Sequence, residues 1–167
     1  MIAAPESPEA SPTSPDVPPH PAAGGGTDTS RPDAPDVCVI LDDVRSLYNV
    51  GAVMRACDGA GIFTVHACGI TPYPPAGPDL RDDPRRGPVA SRAARELRKV
   101  ALSAYDTVRV IHWRDASEAI AHVRGYGATV VAVETSPDAV RYRGASVLRV
   151  RPLALRSEEH TSELQSH

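Results

Sequence analysis

Short apolar runs alternate with helical stripes through the middle of this chain, and that alternation limits the fold more than any other feature. Val37–Leu41 is an unbroken apolar run of strand length. Such a run suits a parallel strand covered on both faces. Ile62–Ala67, Val108–Trp113 and Thr129–Val133 are further strand candidates, and Pro152–Leu155 opens one more. Between them lie stripes at helical spacing: Val50, Val53, Met54 and Cys57, then Val89, Ala93, Leu97 and Val100, then Ala116, Ala119, Ile120 and Val123. Asn49 is positioned to cap the first helix, and Gly59 and Gly61 to end it. Asp115 and Glu118 form a capping-box pattern for the third, which stops before Gly125. The alternation predicts an α/β fold. Its sheet is Rossmann-like and parallel with helices on both faces, and ligands belong outside the carboxyl ends of the strands.

Residues 1–36 stand apart from this pattern. They are rich in Pro, Ala, Ser and Gly, and their large aliphatic residues are Ile2 and Val17 alone. So little apolar surface cannot offset the entropy of ordering, so the segment reads as a disordered tail. It has no apolar core of a signal peptide, and no run in the chain is long enough to span a membrane. Residues 37–155 carry 16 Lys and Arg against 12 Asp and Glu, whereas the whole chain is at −3. A mildly basic domain is compatible with a polyanionic partner. Cys38, Cys57 and Cys68 are odd in number and show no CxxC spacing. This argues against a zinc site or disulfide framework and for a reduced, cytoplasmic protein. His66 and Cys68 gather no further ligands in sequence, so no metal site is expected.

Two stretches could carry function. The first is Asp42–Arg55, where a strand hands over to a helix. A helix start offers free N–H groups to an anion, Gly51 in the first turn would let a phosphate approach, and Arg55 lies four residues on. A guanidinium there suits a ribose-phosphate backbone. An ordinary capped helix with one solvated Arg has the same spacing. The glycines match neither GxGxxG nor a P-loop. Asp42 and Asp43 have no third carboxylate close in sequence, so they read as a solvated strand end. The second stretch is basic: Arg81, Arg85, Arg86, Arg92, Arg95, Arg98 and Lys99. It could track phosphates. It could equally be a solvated helix face balanced by Asp79, Asp82, Asp83 and Glu96. His112, Trp113 and Tyr126 read as packing residues.

The segment Arg45–Gly61, RSLYNVGAVMRACDGAG, resembles the first motif of the SpoU (TrmH-like) branch of the SPOUT RNA methyltransferases, roughly N-x-G-x-x-x-R, a small residue, then A-x-G. Leu41–Asp43 before it, and Cys68–Pro75, Lys99–Ala104 and Val131–Thr135 after it, are similar to the same branch in order and spacing. The resemblance implies an enzyme that transfers a methyl group from S-adenosylmethionine to a ribose 2'-hydroxyl of tRNA or rRNA. It implies Arg55 and Asn49 as catalytic residues, and a homodimer. Arg45, Gly51, Arg81, Arg85, Arg86 and Arg92 become candidate RNA contacts. Glu134 and Thr135, at a strand's carboxyl end, could border the donor pocket. An RNA-binding module without catalysis is the alternative reading.

The family pattern continues with L-G-N-E-x-x-G and S-L-N-V-S-x-A segments that form a trefoil knot around the donor. Pro152–Leu155 starts the first of these strands, but Arg156–His167 matches neither motif. This last stretch reads as the translation of a short-read sequencing adapter, and so as not native. The expectation is a partial SpoU domain at 37–155, truncated before the knot. It would be inactive by itself, with an unpaired sheet edge and an uncovered apolar face.

Overall fold

The computed structural model describes residues 34–75, 83–134, 139–143 and 145–158. Arg81 and Thr135 lie outside these residues, as does the tail at 1–33. The elements run β1 (Val37–Asp42), α1 (Leu47–Gly59), β2 (Thr64–Cys68), α2 (Gly87–Ala101), α3 (Ala104–Thr107), β3 (Arg109–Trp113), α4 (Ala116–Gly125), β4 (Thr129–Val133) and β5 (Leu153–Glu158). A short 3-10 helix at Ser146–Arg149 precedes β5. The five strands form one sheet in the order β3-β2-β1-β5-β4. Every pairing is parallel.

β1 lies at the centre and is buried on both faces. Val39 and Leu41 enter one cluster with Val50, Met54 and Cys57 of α1, Leu97 of α2 and Ala104 of α3. Cys38 and Ile40 point the other way, into a cluster with Ala119 and Val123 of α4 and Ala154 of β5. The twofold alternation of strand side chains divides one apolar run between two cores. The expected sheet with helices on both faces is what forms.

Several local expectations are corrected. Ser46, not Asn49, caps α1: its Oγ accepts a hydrogen bond from the Asn49 backbone N–H at 3.2 Å. Asn49 is the third residue of the helix, where a cap's hydroxyl finds its donor. In α2 the buried residues are Ala90, Ala93, Leu97 and Ala101, and Val89 is 54% exposed. The small residues face α1 because the two helices approach closely there. A Cβ added to Gly51 would lie 2.7 Å from Val100 Cβ. Gly51 is buried, so its missing side chain accommodates α2 and does not open a path to a phosphate.

α4 begins as its pattern suggests, with Asp115 Oδ1 accepting from Glu118 N at 3.0 Å. The return bond goes from Arg114 N to Glu118 Oε2 at 3.3 Å, one residue ahead of the cap. β5 runs to Glu158, beyond the Leu155 boundary expected from sequence, and pairs with β1 as far as Asp42. Among the described residues β4 forms one edge of the sheet, and Val133 on it is 56% exposed. Cys38, Cys57 and Cys68 are buried free thiols. Burial pushes the Cys57 thiol up to about 11 and that of Cys68 to about 12. No helix among the described residues is long and apolar enough to cross a membrane.

His66 is a buried polar residue on the α4 side, 1% exposed. Its Nδ1 accepts a 2.8 Å hydrogen bond from the Trp113 indole N–H. Indole can only donate, so Nδ1 must be unprotonated. Nε2 is buried with no partner among the described residues. Burial first, then repulsion from His122 and Arg109, lowers the His66 pKa to about 4.

Two outcomes follow from this packing. The folded state holds His66 neutral, while the unfolded chain protonates it near pH 6.5. Stability should therefore be full above that pH and fall as pH drops toward about 4. The loss between about pH 7 and about pH 5 should be ~2 kcal/mol. Urea denaturation of the wild type and of His66→Phe at both pH values checks this, and an unchanged pH dependence in the variant would refute it. Gly51→Ala should cost about 1–3 kcal/mol by overpacking against Val100. Adding Val100→Ala should recover part of that loss, whereas strictly additive losses would exclude the contact as its source.

Candidate nucleic-acid interface

The carboxyl ends of β1 and β2 carry the loops that sequence pointed to. Buried Thr71 ties these two loops together. Its hydroxyl accepts from Val44 N at 3.0 Å and donates to Leu41 O at 3.2 Å. Asp43 adds a second tie, with Oδ1 accepting from Ile70 N at 3.1 Å. Gly69 has φ +61, and a Cβ there would collide with the Asp43 carboxylate, so glycine is required on both counts. Asp42 does different work: its Oδ2 pairs with Arg156 of β5, and Glu158 joins the same guanidinium. The two adjacent aspartates thus bind separate partners.

Between these loops and α2 lies a cleft of about 600 Å³. Arg45, Arg85 and Arg92 all line it, with Ile70, Tyr73 and His112 among the other walls. Three of the predicted RNA-contact residues therefore meet in one place. Their conditions differ. The Arg85 guanidinium grips Asp83 through Nε and Nη2 at 2.8 and 2.6 Å and donates Nη1 to Tyr73 O at 2.8 Å. It also lies 3.7 Å from the Tyr73 ring centroid. Asp83 is accordingly held below the usual carboxylate range by its hydrogen bond from Arg85. Arg85 is thus a brace for the wall of the cleft, with its donors already directed at protein acceptors. Arg92 is exposed and has no carboxylate partner among the described residues. Arg45 is also exposed. Arg86 is exposed at the N-cap of α2, without a side-chain capping bond.

Further along α2 the basic stretch is neutralised. Arg95 and Lys99 both reach Glu96, and Arg98 reaches Asp106 while lying over the Tyr105 ring. The paired-charge reading of this stretch thus holds for the last turns of α2, and the first turns remain the candidate contact surface. The first turns of α2 face the cleft, and the last turns are a solvated face of paired charges worth little individually.

Arg55 stands elsewhere. It is two turns into α1, about 12 Å along the axis from Leu47 at the cleft. Its exposed guanidinium donates Nη1 to the Val100 carbonyl at 2.9 Å. That carbonyl is in the last turn of α2, where helix carbonyls lack intrahelical donors and carry partial negative charge. Gly51 and Arg55 do share a side of α1, as their spacing requires, and both meet Val100. Asn49 is exposed and lies about 120° around the helix from Arg55. Glu134 is exposed at the end of β4, on the far side of β1 and β5 from the cleft. The sequence reading did not single out Thr71, Tyr73 or the Val100 carbonyl. Only the Tyr-Pro-rich loop directly after β2 hinted at the first two.

No family model matches the chain. It is 28% identical over 109 residues to the tRNA (guanosine(18)-2'-O)-methyltransferase of Escherichia coli (strain K12), covering 65% of this chain and 39% of that protein. The protein of that name from Shigella flexneri matches equally. The chain thus spans about two fifths of the length of these curated relatives. Among solved structures, an rRNA methyltransferase from Sinorhizobium meliloti superposes with a TM-score of 0.55 at 22% identity, covering 75% of this chain and 41% of its own. The A. aeolicus TrmH/SpoU tRNA modifying enzyme gives 0.51 at 16% identity, with 75% and 53% covered. These structural likenesses carry the fold alone. The sequence relatives and the Asn49–Arg55 motif agree with it, and the chain is similar to the SpoU, or TrmH-like, branch of the SPOUT RNA methyltransferases.

Proposed function

We propose that the protein serves as an S-adenosylmethionine-dependent RNA methyltransferase acting on a ribose 2'-hydroxyl of tRNA or rRNA in the cytoplasm. The observation that carries this is Arg55: an exposed guanidinium held by the Val100 carbonyl, in the motif that resembles the SpoU branch, within a chain that is similar to tRNA 2'-O-methyltransferases. A guanidinium stays protonated at any working pH, so it is no conventional base. Arg55 can stabilise the alkoxide that develops as the ribose hydroxyl loses its proton, and can hold the adjoining phosphate. The Val100 carbonyl fixes its direction beforehand, so little reorganisation is needed when charge appears. By the same resemblance Asn49 would contribute from an adjoining side of α1, about 120° from Arg55.

The methyl donor brings a sulfonium that is already activated, which leaves positioning as the main task. The described residues do not fit a donor pocket. At the carboxyl ends of β1 and β5 the described residues present the Asp42–Arg156–Glu158 ion cluster, and such charge does not suit an adenine ring. Glu134 stands exposed beside them. We assign donor contacts to neither this cluster nor Glu134. The same family reading has two copies pair. Exposed Val133, Val140 and Tyr142 are apolar surface that such a contact could cover.

The test is methyl transfer from radiolabelled S-adenosylmethionine to unmodified tRNA and rRNA, using a protein that extends over the full length of the relatives. Arg55→Ala should lower the rate by about 10²–10³-fold, the usual effect of removing one donor to a developing oxyanion. Donor affinity should stay near wild type. Retained transfer in Arg55→Ala excludes its catalytic role. RNA binding without transfer in the wild type would favour a non-catalytic module.

A further inference from the structure

The cleft beside α2 has a wall that its charges do not explain. Tyr73 is stacked on His112, with ring centroids 4.1 Å apart and planes at 22°. Arg85 lies 3.7 Å from the centroid of the same Tyr73 ring. A guanidinium and an imidazole cannot share one face at these distances, so Arg85, Tyr73 and His112 form three layers. His112 Nε2 lies 3.0 Å from Gly69 O. A carbonyl only accepts, so Nε2 carries the hydrogen and the ring is fixed edge-on. His112 nevertheless remains exposed. A flat ring is thus held rigid at the end of a stack, lining a cleft where Ile70 is 58% and Val89 54% exposed. Exposed aliphatic and π surface inside a basic cleft fits a ligand with a flat, partly apolar body and an anionic link. A volume of about 600 Å³ lies within the usual range for small-molecule sites.

We propose that this cleft receives an unstacked nucleotide of single-stranded RNA, with His112 as its stacking surface and Arg92 on its phosphate. This rests on the reading of the protein as an RNA methyltransferase and adds to it a second contact point, separated from Arg55 along α1. Stacking on a fixed ring tolerates different bases, so the cleft selects for unpaired RNA more than for sequence. It explains why Arg85 is committed to Asp83 and Tyr73: the brace keeps the stack in register.

The test is binding of a fluorescein-labelled, mixed-sequence single-stranded RNA of about seven nucleotides to the chain, read by anisotropy at several salt concentrations. His112→Ala should weaken binding about tenfold with an unchanged salt slope, since stacking releases no counterions. His112→Phe should restore most of the affinity. Arg92→Ala should reduce the salt slope by about one. In the unmutated chain the oligonucleotide should protect His112 from diethylpyrocarbonate, read by peptide mass spectrometry. That measurement needs no variant to fold. Binding that is indifferent to His112, or no protection of His112, overturns the cleft while leaving RNA binding intact. Protection by S-adenosylmethionine instead of RNA also overturns it. Failure of the unmutated chain to bind the RNA at all overturns the cleft, whereas the methyltransferase reading stands or falls separately with methyl transfer by the longer protein.

Discussion

Burial of β1 on both faces is the constraint from which the rest of this structure is built. A strand in that position can carry almost no polar side chain, and it must find a parallel neighbour on each edge to satisfy its backbone. β2 and β5 supply those neighbours. Val39 and Leu41 then commit α1, α2 and α3 to one face, and Cys38 and Ile40 commit α4 to the other. The loops that carry function follow, because each helix on a parallel sheet starts at the carboxyl end of the strand before it. The cleft is where two such loop regions meet the start of α2 and His112 of β3.

The second constraint is the close approach of α1 and α2. Glycine at 51 and alanines at 90, 93 and 101 allow it. Val100 then serves twice, its side chain against Gly51 and its carbonyl on Arg55. Packing and the candidate chemistry share a residue that has no polar side chain. A change that pushes the helices apart would therefore move the guanidinium, although it touched neither Arg55 nor RNA.

Much of the fold was legible in the residues. The boundaries of β4 match the expected ones, and α4 starts at Asp115 as its capping pattern implies. The errors have a common origin. Ser46 and Asn49 are both good caps, and which one acts depends on where the chain leaves β1. Val89 fits an apolar stripe as well as Ala90 does, but only the distance to α1 makes the smaller residue the buried one. Arg85 resembles its neighbours in sequence until Asp83 and Tyr73 are found around it.

By itself the sequence determined the strand–helix alternation, the parallel sheet, and the presence of Arg55 and a basic stretch on its helical side. Those follow from periodicity, composition and a local motif, which act over a few residues. Tertiary structure alone decided the strand order, the pairing of Gly51 with Val100, the capture of Arg55 by a carbonyl 45 residues away, and the stack of Arg85, Tyr73 and His112. Each joins side chains from separate elements. Which groups meet there depends on how whole helices and loops pack, and no local spacing encodes that.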